Sequence, residues 1–205
     1  MPFAFDETLA PELYPLAWLV GRWRGAGVLD YPGIERRRVA ADVVFDHDGG
    51  PYLRYESTLR VLDGDVPERI DLGAPDADFA LPSDEEVAAG AVWTTETGYW
   101  RASTDTLDGL ADDQHAIEVL LADASGRLTA FLGWVGGGRV ELASQRTIRT
   151  STSPDVSGSR RMLGLVDGRL FWSEDLVAFG QPLQSYSSGQ LTRLDAAEPA
   201  PGAES

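Results

Sequence analysis

The sequence predicts an all-β protein, a ten-stranded antiparallel up-and-down barrel with a short N-terminal helical plug. Three observations carry this. Helical periodicity is nearly absent, and apolar or aromatic residues instead alternate with polar ones in short runs. About ten such runs follow one another along 205 residues. The segments between them hold hairpin chemistry, "DHDGGP", "DASGR", "VGGGR" and "VDGR". So many strands in hairpin order would make a poor flat sheet at this length, and closure into a barrel removes the exposed edges.

The elements follow in chain order. Residues 9–20, "LAPELYPLAWLV", hold two prolines in a compact apolar set and read as a helical or turn segment that plugs one barrel end. Strands are expected at 21–30, 36–47, 51–62, 94–103 and 115–124, then at 127–136, 138–149, 157–168, 168–179 and 182–194. Residues 63–90 carry nine acids against one arginine, with three prolines, and read as a long acidic loop over the barrel mouth or in solvent. One barrel domain over 1–194 is expected, with that loop as an insertion and 195–205 as a disordered tail.

Composition narrows the function classes. Hydrophobic residues make up 43% and charged residues 24%, as in ordinary globular proteins. The formal charge of −16 opposes binding to phosphate backbones, so no nucleic-acid partner is expected. No run approaches a membrane span, and the N-terminus lacks the basic segment of a secretory signal. With no cysteine, there is neither a disulfide framework nor a thiolate metal site, which fits a cytoplasmic setting.

The opening strand reads "GRWRGAG". Alternation puts Gly21, Trp23, Gly25 and Gly27 on one face and Arg22, Arg24 and Ala26 on the other. With the arginines outside, Trp23 fills the closed end, while Gly25 and Gly27 let the strand curve and leave open space above it. Glycines that merely ease a bend are the plainer alternative. Both readings require a barrel.

This segment, "LAWLVGRWRGAGVLDYPGI", resembles the entry of the nitrobindin family, whose hallmark is Gly-x-Trp-x-Gly-x-Gly followed by a Tyr-Pro-Thr-Ile-like turn. The resemblance continues through "VVFDHDGGPYLRYES", "TETGYWR" and "AFGQPLQSYSSGQL" and covers most of the chain outside the acidic insertion and the tail. It implies a ten-stranded barrel similar to fatty-acid-binding proteins and lipocalins. In many members it implies a ferric haem that reacts with nitric oxide or isomerises peroxynitrite to nitrate.

The resemblance also implies where haem would be held, and this chain departs there. Tyr186 occupies the position of the iron-ligating histidine after Gln-Pro-Leu-Gln. Gly33 replaces the threonine of the Tyr-Pro-Thr-Ile turn, and Asp123 stands where a second family histidine lies. The two histidines, His47 in a turn and His115 at a loop-to-strand boundary, are poor substitutes, and Met162 reads as packing. Tyrosinate can ligate ferric haem. Alternation gives Tyr186 the uncharged inward neighbours Gln184, Ser188 and Gln190, with no obvious cation to ionise it.

The expected protein is therefore a nitrobindin-like barrel without the haem-ligating histidine. No cofactor is expected, and the cavity would take a small hydrophobic or amphipathic ligand or none. The alternative is a haem-binding peroxynitrite isomerase that uses Tyr186 or another ligand. Inward arginines from Arg36–Arg38 or Arg160–Arg161 could anchor a ligand carboxylate, and a homodimer stays open. The chain shows no Gly-x-Ser-x-Gly elbow, P-loop or His-Glu-x-x-His motif, and Glu174 and Asp175 point to opposite faces of one strand. No catalytic or metal-binding residue is assigned, and the reading leans away from an enzyme.

Overall fold

Leu13, Leu16 and Leu19 recur every third residue, the spacing that stacks side chains on one face of a 3₁₀ helix rather than an α-helix. The computed structural model, which describes residues 8–64, 66, 80–105 and 107–194, has that helix at Pro11–Leu19 with all three leucines buried. It is the expected plug. Ten antiparallel strands follow: β1 (Gly21–Tyr31), β2 (Ile34–Asp46), β3 (Leu53–Val61), β4 (Ala91–Ala102), β5 (His115–Asp123), β6 (Arg127–Gly136), β7 (Arg139–Arg149), β8 (Val156–Val166), β9 (Arg169–Ala178) and β10 (Gln184–Arg193). Each pairs with its sequence neighbours, and β1 pairs with β10 to close the barrel. No described helix is long and apolar enough to cross a membrane.

Large side chains fill the plugged end. Trp23, Phe45, Leu53, Trp100, Ile117, Leu142, Leu170 and Leu191 are almost fully buried there. The Trp23 indole N–H donates to the Leu19 carbonyl at 2.8 Å. The Arg193 guanidinium lies 4.1 Å from the centre of the Trp23 ring. It donates to the Trp18 carbonyl at 2.7 Å and also to the Val20 carbonyl. The last strand thus clamps the helix onto the first.

The glycines of β1 have a different reason from the one alternation suggests. A Cβ on Gly25 would run into the Gln190 carbonyl of β10. A Cβ on Gly27 would meet the Ser188 carbonyl and come within 2.7 Å of the Trp172 ring. The same indole crosses Gly189 of β10. The space above Trp23 is filled, not empty: the missing side chains let β1 and β10 approach closely and seat Trp172 across them.

The acidic insertion also differs from expectation. Ser83 and Glu86 form a capping box, each side chain meeting the other's backbone N–H, and start a short helix, α1 (Asp84–Ala89). Val87 packs with Ala40 and Leu62, while Asp84 pairs with Arg24 and Glu86 with Arg38. This part of the insertion therefore lies on the outer wall of β1 and β2, not over the mouth. Residues 65 and 67–79, and the tail at 195–205, lie outside the described residues.

One seam is incomplete. The β7–β8 ladder runs from Arg139–Gly164 to Ala143–Arg160 and stops, and beyond it the Ser159 N–H donates to the Ser144 hydroxyl at 2.9 Å. Above that bridge the two strands part toward the mouth.

Arg193→Met keeps the aliphatic stem but removes two carbonyl bonds and the ring contact. We expect unfolding in urea to show a loss of about 2 kcal/mol with an unchanged slope.

Candidate functional site

The mouth is made by the ends of β1, β3, β5, β7 and β9 and the starts of the strands that follow them. A register shift in β10 between Ser185 and Ser187 makes Tyr186 the extra residue of a β-bulge. Tyr186 and Ser187 consequently both line the cavity beneath the mouth. Below the bulge the phase is reversed from simple alternation. Ser187, Gly189 and Leu191 follow the inward positions of β9, while Ser188 and Gln190 lie on the outer face and line no part of the cavity. The expected Ser188 and Gln190 lining is thus corrected, and the bulge is the cause.

The cavity has a volume of about 240 Å³. A buried ionic cluster lines it. Arg161 of β8 grips Glu96 of β4 with two bonds of 2.7 and 2.6 Å, and also meets Glu174 of β9 at 3.0 Å. Ser159 donates to the same Glu174 oxygen at 2.9 Å. Arg127 of β6 pairs with Asp123 at 2.9 Å and lies 3.7 Å from Glu96. Burial pulls the Arg161 pKa down, but the charges of Glu174 and Glu96 outweigh it and leave the group above its ordinary value. The phenol of Tyr55, buried beside Glu96, is pushed up by that burial and by the negative charge.

An inward arginine does follow from alternation in "RR", and it is Arg161. Its guanidinium is already engaged by two carboxylates, so it is no ready anchor for a ligand carboxylate. Arg36, Arg37 and Arg38 pair with Asp30, Glu35 and Glu86 at the rim or outer wall. Glu174 and Asp175 do part, with Glu174 inside and its neighbour opposite Arg160.

Tyr186 is enclosed by aromatic rings. The Trp93 indole N–H donates to its hydroxyl oxygen at 2.6 Å, and the Tyr31 ring stands edge-on at 6.1 Å. Tyr31 is itself fixed, its hydroxyl accepting from the Ala178 N–H at 3.0 Å. The Tyr186 pKa is pushed up to about 12, chiefly by burial. The Trp93 bond and Arg127 act the other way, and Glu174 and Glu96 add to the rise. The phenol is neutral at pH 7.

Asp123 lines the cavity and accepts from Thr94 at 3.3 Å and from the Ser125 N–H at 2.6 Å. Gly33 lies in the β1–β2 turn with φ of +84° and nothing within 4 Å of an added Cβ. His47 and His115 both belong to the plugged end, His47 in the β2–β3 turn and His115 exposed at the start of β5. Met162 is on the outer side, its sulfur accepting from Arg139 at 3.1 Å. Among the candidates, the structure brings together Tyr186 and Asp123 and leaves Gly33, Ser188 and Gln190 off the cavity wall.

Glu96, Arg127, Trp93 and Tyr55 were not singled out from sequence. Glu96 had a signal: in "TTETGYW" it shares the face of Thr94, Gly98 and Trp100, so the inward position of Trp100 carries Glu96 inward with it. Arg161 and Glu174 are direct cross-strand partners, a pairing visible only once the β8–β9 register is known.

The architecture is a closed antiparallel β-barrel with a plugged floor and a lined cavity under its mouth. The chain belongs to the family of THAP4-like, heme-binding β-barrel domains, whose family model matches residues 12–193. It is 44% identical to a ferric nitrobindin-like protein of Beutenbergia cavernae, across 95% of this chain and all of the relative. It is 30% identical to a peroxynitrite isomerase of a Nocardioides species, across 94% of this chain and 99% of the relative. The crystal structure of Rv2717c from M. tuberculosis matches with a TM-score of 0.66 at 27% identity, covering 90% of this chain and 98% of that one.

Two outcomes follow from this geometry. Arg161→Met leaves Glu174 without its cation and Glu96 with only Arg127 at 3.7 Å, and should cost about 3–5 kcal/mol by chemical denaturation. In an alkaline titration followed at 295 nm, Tyr186→Phe should delete a component near pH 12. Its raised folded pKa means that the stability carried by the neutral phenol is whole below about pH 10 and is lost as pH rises toward 12.

Proposed function

We propose that this chain is a small-molecule-binding member of its family, whose cavity holds a ligand directly and not through a ligated haem iron. The state of Tyr186 carries the reading. It stands where the resemblance implies the iron ligand, yet its phenol is buried and neutral, and its oxygen already accepts from Trp93. A phenolate there would face Glu174 and Glu96 across a poorly solvated space. Both histidines of the chain are at the other end of the barrel. These residues do not fit a ferric iron, so we route no step through one. The aromatic wall and the ionic cluster supply a binding surface of mixed character, suited to a small polar or amphipathic molecule. The lack of cysteine supports a reducing, cytoplasmic setting.

The second reading is a haem-binding peroxynitrite isomerase. The heme-binding description of the family and the names of several relatives support it, and taken alone they favour it over the first. On that reading Tyr186 is the residue that would hold the iron, and the iron would supply the nitric-oxide and peroxynitrite chemistry.

Titration of the purified protein with ferric haem separates the two. We expect no Soret shift that saturates near one equivalent. A stoichiometric Soret band would overturn the proposal. Its loss in Tyr186→Phe would assign the iron to the phenolate, and its persistence would assign it to another group.

A further inference from the structure

The cavity described above contains an unequal set of charges, and this bears on the class of ligand it accepts. Glu96, Asp123 and Glu174 face Arg127 and Arg161 in its wall, one negative charge more than the positive groups balance. All five side chains are at most 14% exposed, so water screens the excess only weakly. The Arg161 donors are taken by Glu96 and Glu174, and Arg127 is paired through one nitrogen with Asp123. An incoming anion would therefore meet net negative charge and two guanidinium groups already paired with carboxylates.

Aromatic rings from Tyr55, Trp93, Trp172 and Tyr186 line the same space. Their faces attract a cation, most strongly where water is excluded. Trp100 also lines the cavity and is 1% exposed, and its indole N–H is buried with no hydrogen-bond partner. That donor calls for an acceptor, which an ammonium lacks and which water held beside the cation can supply. The volume of about 240 Å³ sets the size of the occupant at a small molecule. The net charge of −16 would also draw cations toward the molecule.

We infer that the cavity is a binding site for a small organic cation, an ammonium group carried on an apolar body, and not for a fatty acid or other anion. The ammonium balances the Glu96–Asp123–Glu174 excess, and the apolar body packs against the tryptophan and tyrosine rings. This rests on the proposal that the cavity binds its ligand without haem iron.

Three probes of similar shape test it: benzylammonium, benzyl alcohol and benzoate. They are added at pH 7 to the full chain, with binding read from tryptophan fluorescence, because Trp93, Trp100 and Trp172 line the cavity. We expect benzylammonium to saturate and to bind about tenfold or more tightly than benzyl alcohol, with benzoate weakest. Glu174→Gln, which removes the excess charge, should bring the three within about threefold of one another. Benzoate binding as tightly as the amine, equal binding of amine and alcohol, or no saturation by any probe would overturn the inference. A parallel absorption spectrum keeps the two failures apart. A stoichiometric haem band refutes the proposal beneath this one, whereas haem-free protein that prefers benzoate refutes only the cation assignment.

Discussion

Arg161 is the hinge of the interior. A guanidinium taken out of water is tolerated only where charged partners take nearly all of its donors, and Glu96 and Glu174 do so from β4 and β9. Glu174 is on the neighbouring strand, but meeting Glu96 requires β4 to face β8 across the barrel, which depends on closure. The cluster also explains why the upper barrel is not packed with leucine and phenylalanine like the floor. Ionised groups need one another and room for a polar occupant, so the apolar core stops beneath them. Phe131, whose ring lies 5.3 Å from the Arg161 guanidinium, marks that boundary.

The two ends divide the work of the fold. The plugged end stabilises: leucines at threefold spacing, two buried tryptophans and the Arg193 clamp are all there. The mouth holds the groups with chemistry. Tyr31 ties the end of β1 to β9, Trp93 fixes Tyr186, and Asp123 holds Arg127. The likeness to heme-binding relatives extends over the whole barrel, whereas the ligand question turns on a few residues at its rim. Kinship therefore establishes the architecture more firmly than it does the occupant.

Much of the architecture was legible from alternation and turn chemistry, because both are local. Trp23 at the floor and the sequential hairpins needed only a period of two and the glycine-rich turns between strands. The site was harder for a specific reason. One inserted residue at Tyr186 reverses the faces of everything after it, so Ser188 and Gln190 exchange places with Ser187, Gly189 and Leu191. A bulge has no composition of its own in "QSYSSGQ". The capping box of Ser83 and Glu86 was written in the sequence, but an acidic, proline-bearing context obscured it. The glycines of "GRWRGAG" called for close approach, and only the β10 backbone and Trp172 reveal what approaches.

The seam between β7 and β8 has a consequence for how rigidly the cavity is sized. Round most of the wall, widening the mouth would break ladder hydrogen bonds. Beyond Ala143 and Arg160 the ladder stops, and the Ser144–Ser159 bond and the contacts of Arg149 with the Pro154 carbonyl and Asp155 join the strands there. The upper wall resembles a cuff with one seam held by side-chain contacts, so widening it there breaks fewer backbone hydrogen bonds than widening a laddered seam. The width of the mouth is set at that seam by side chains and not by a ladder.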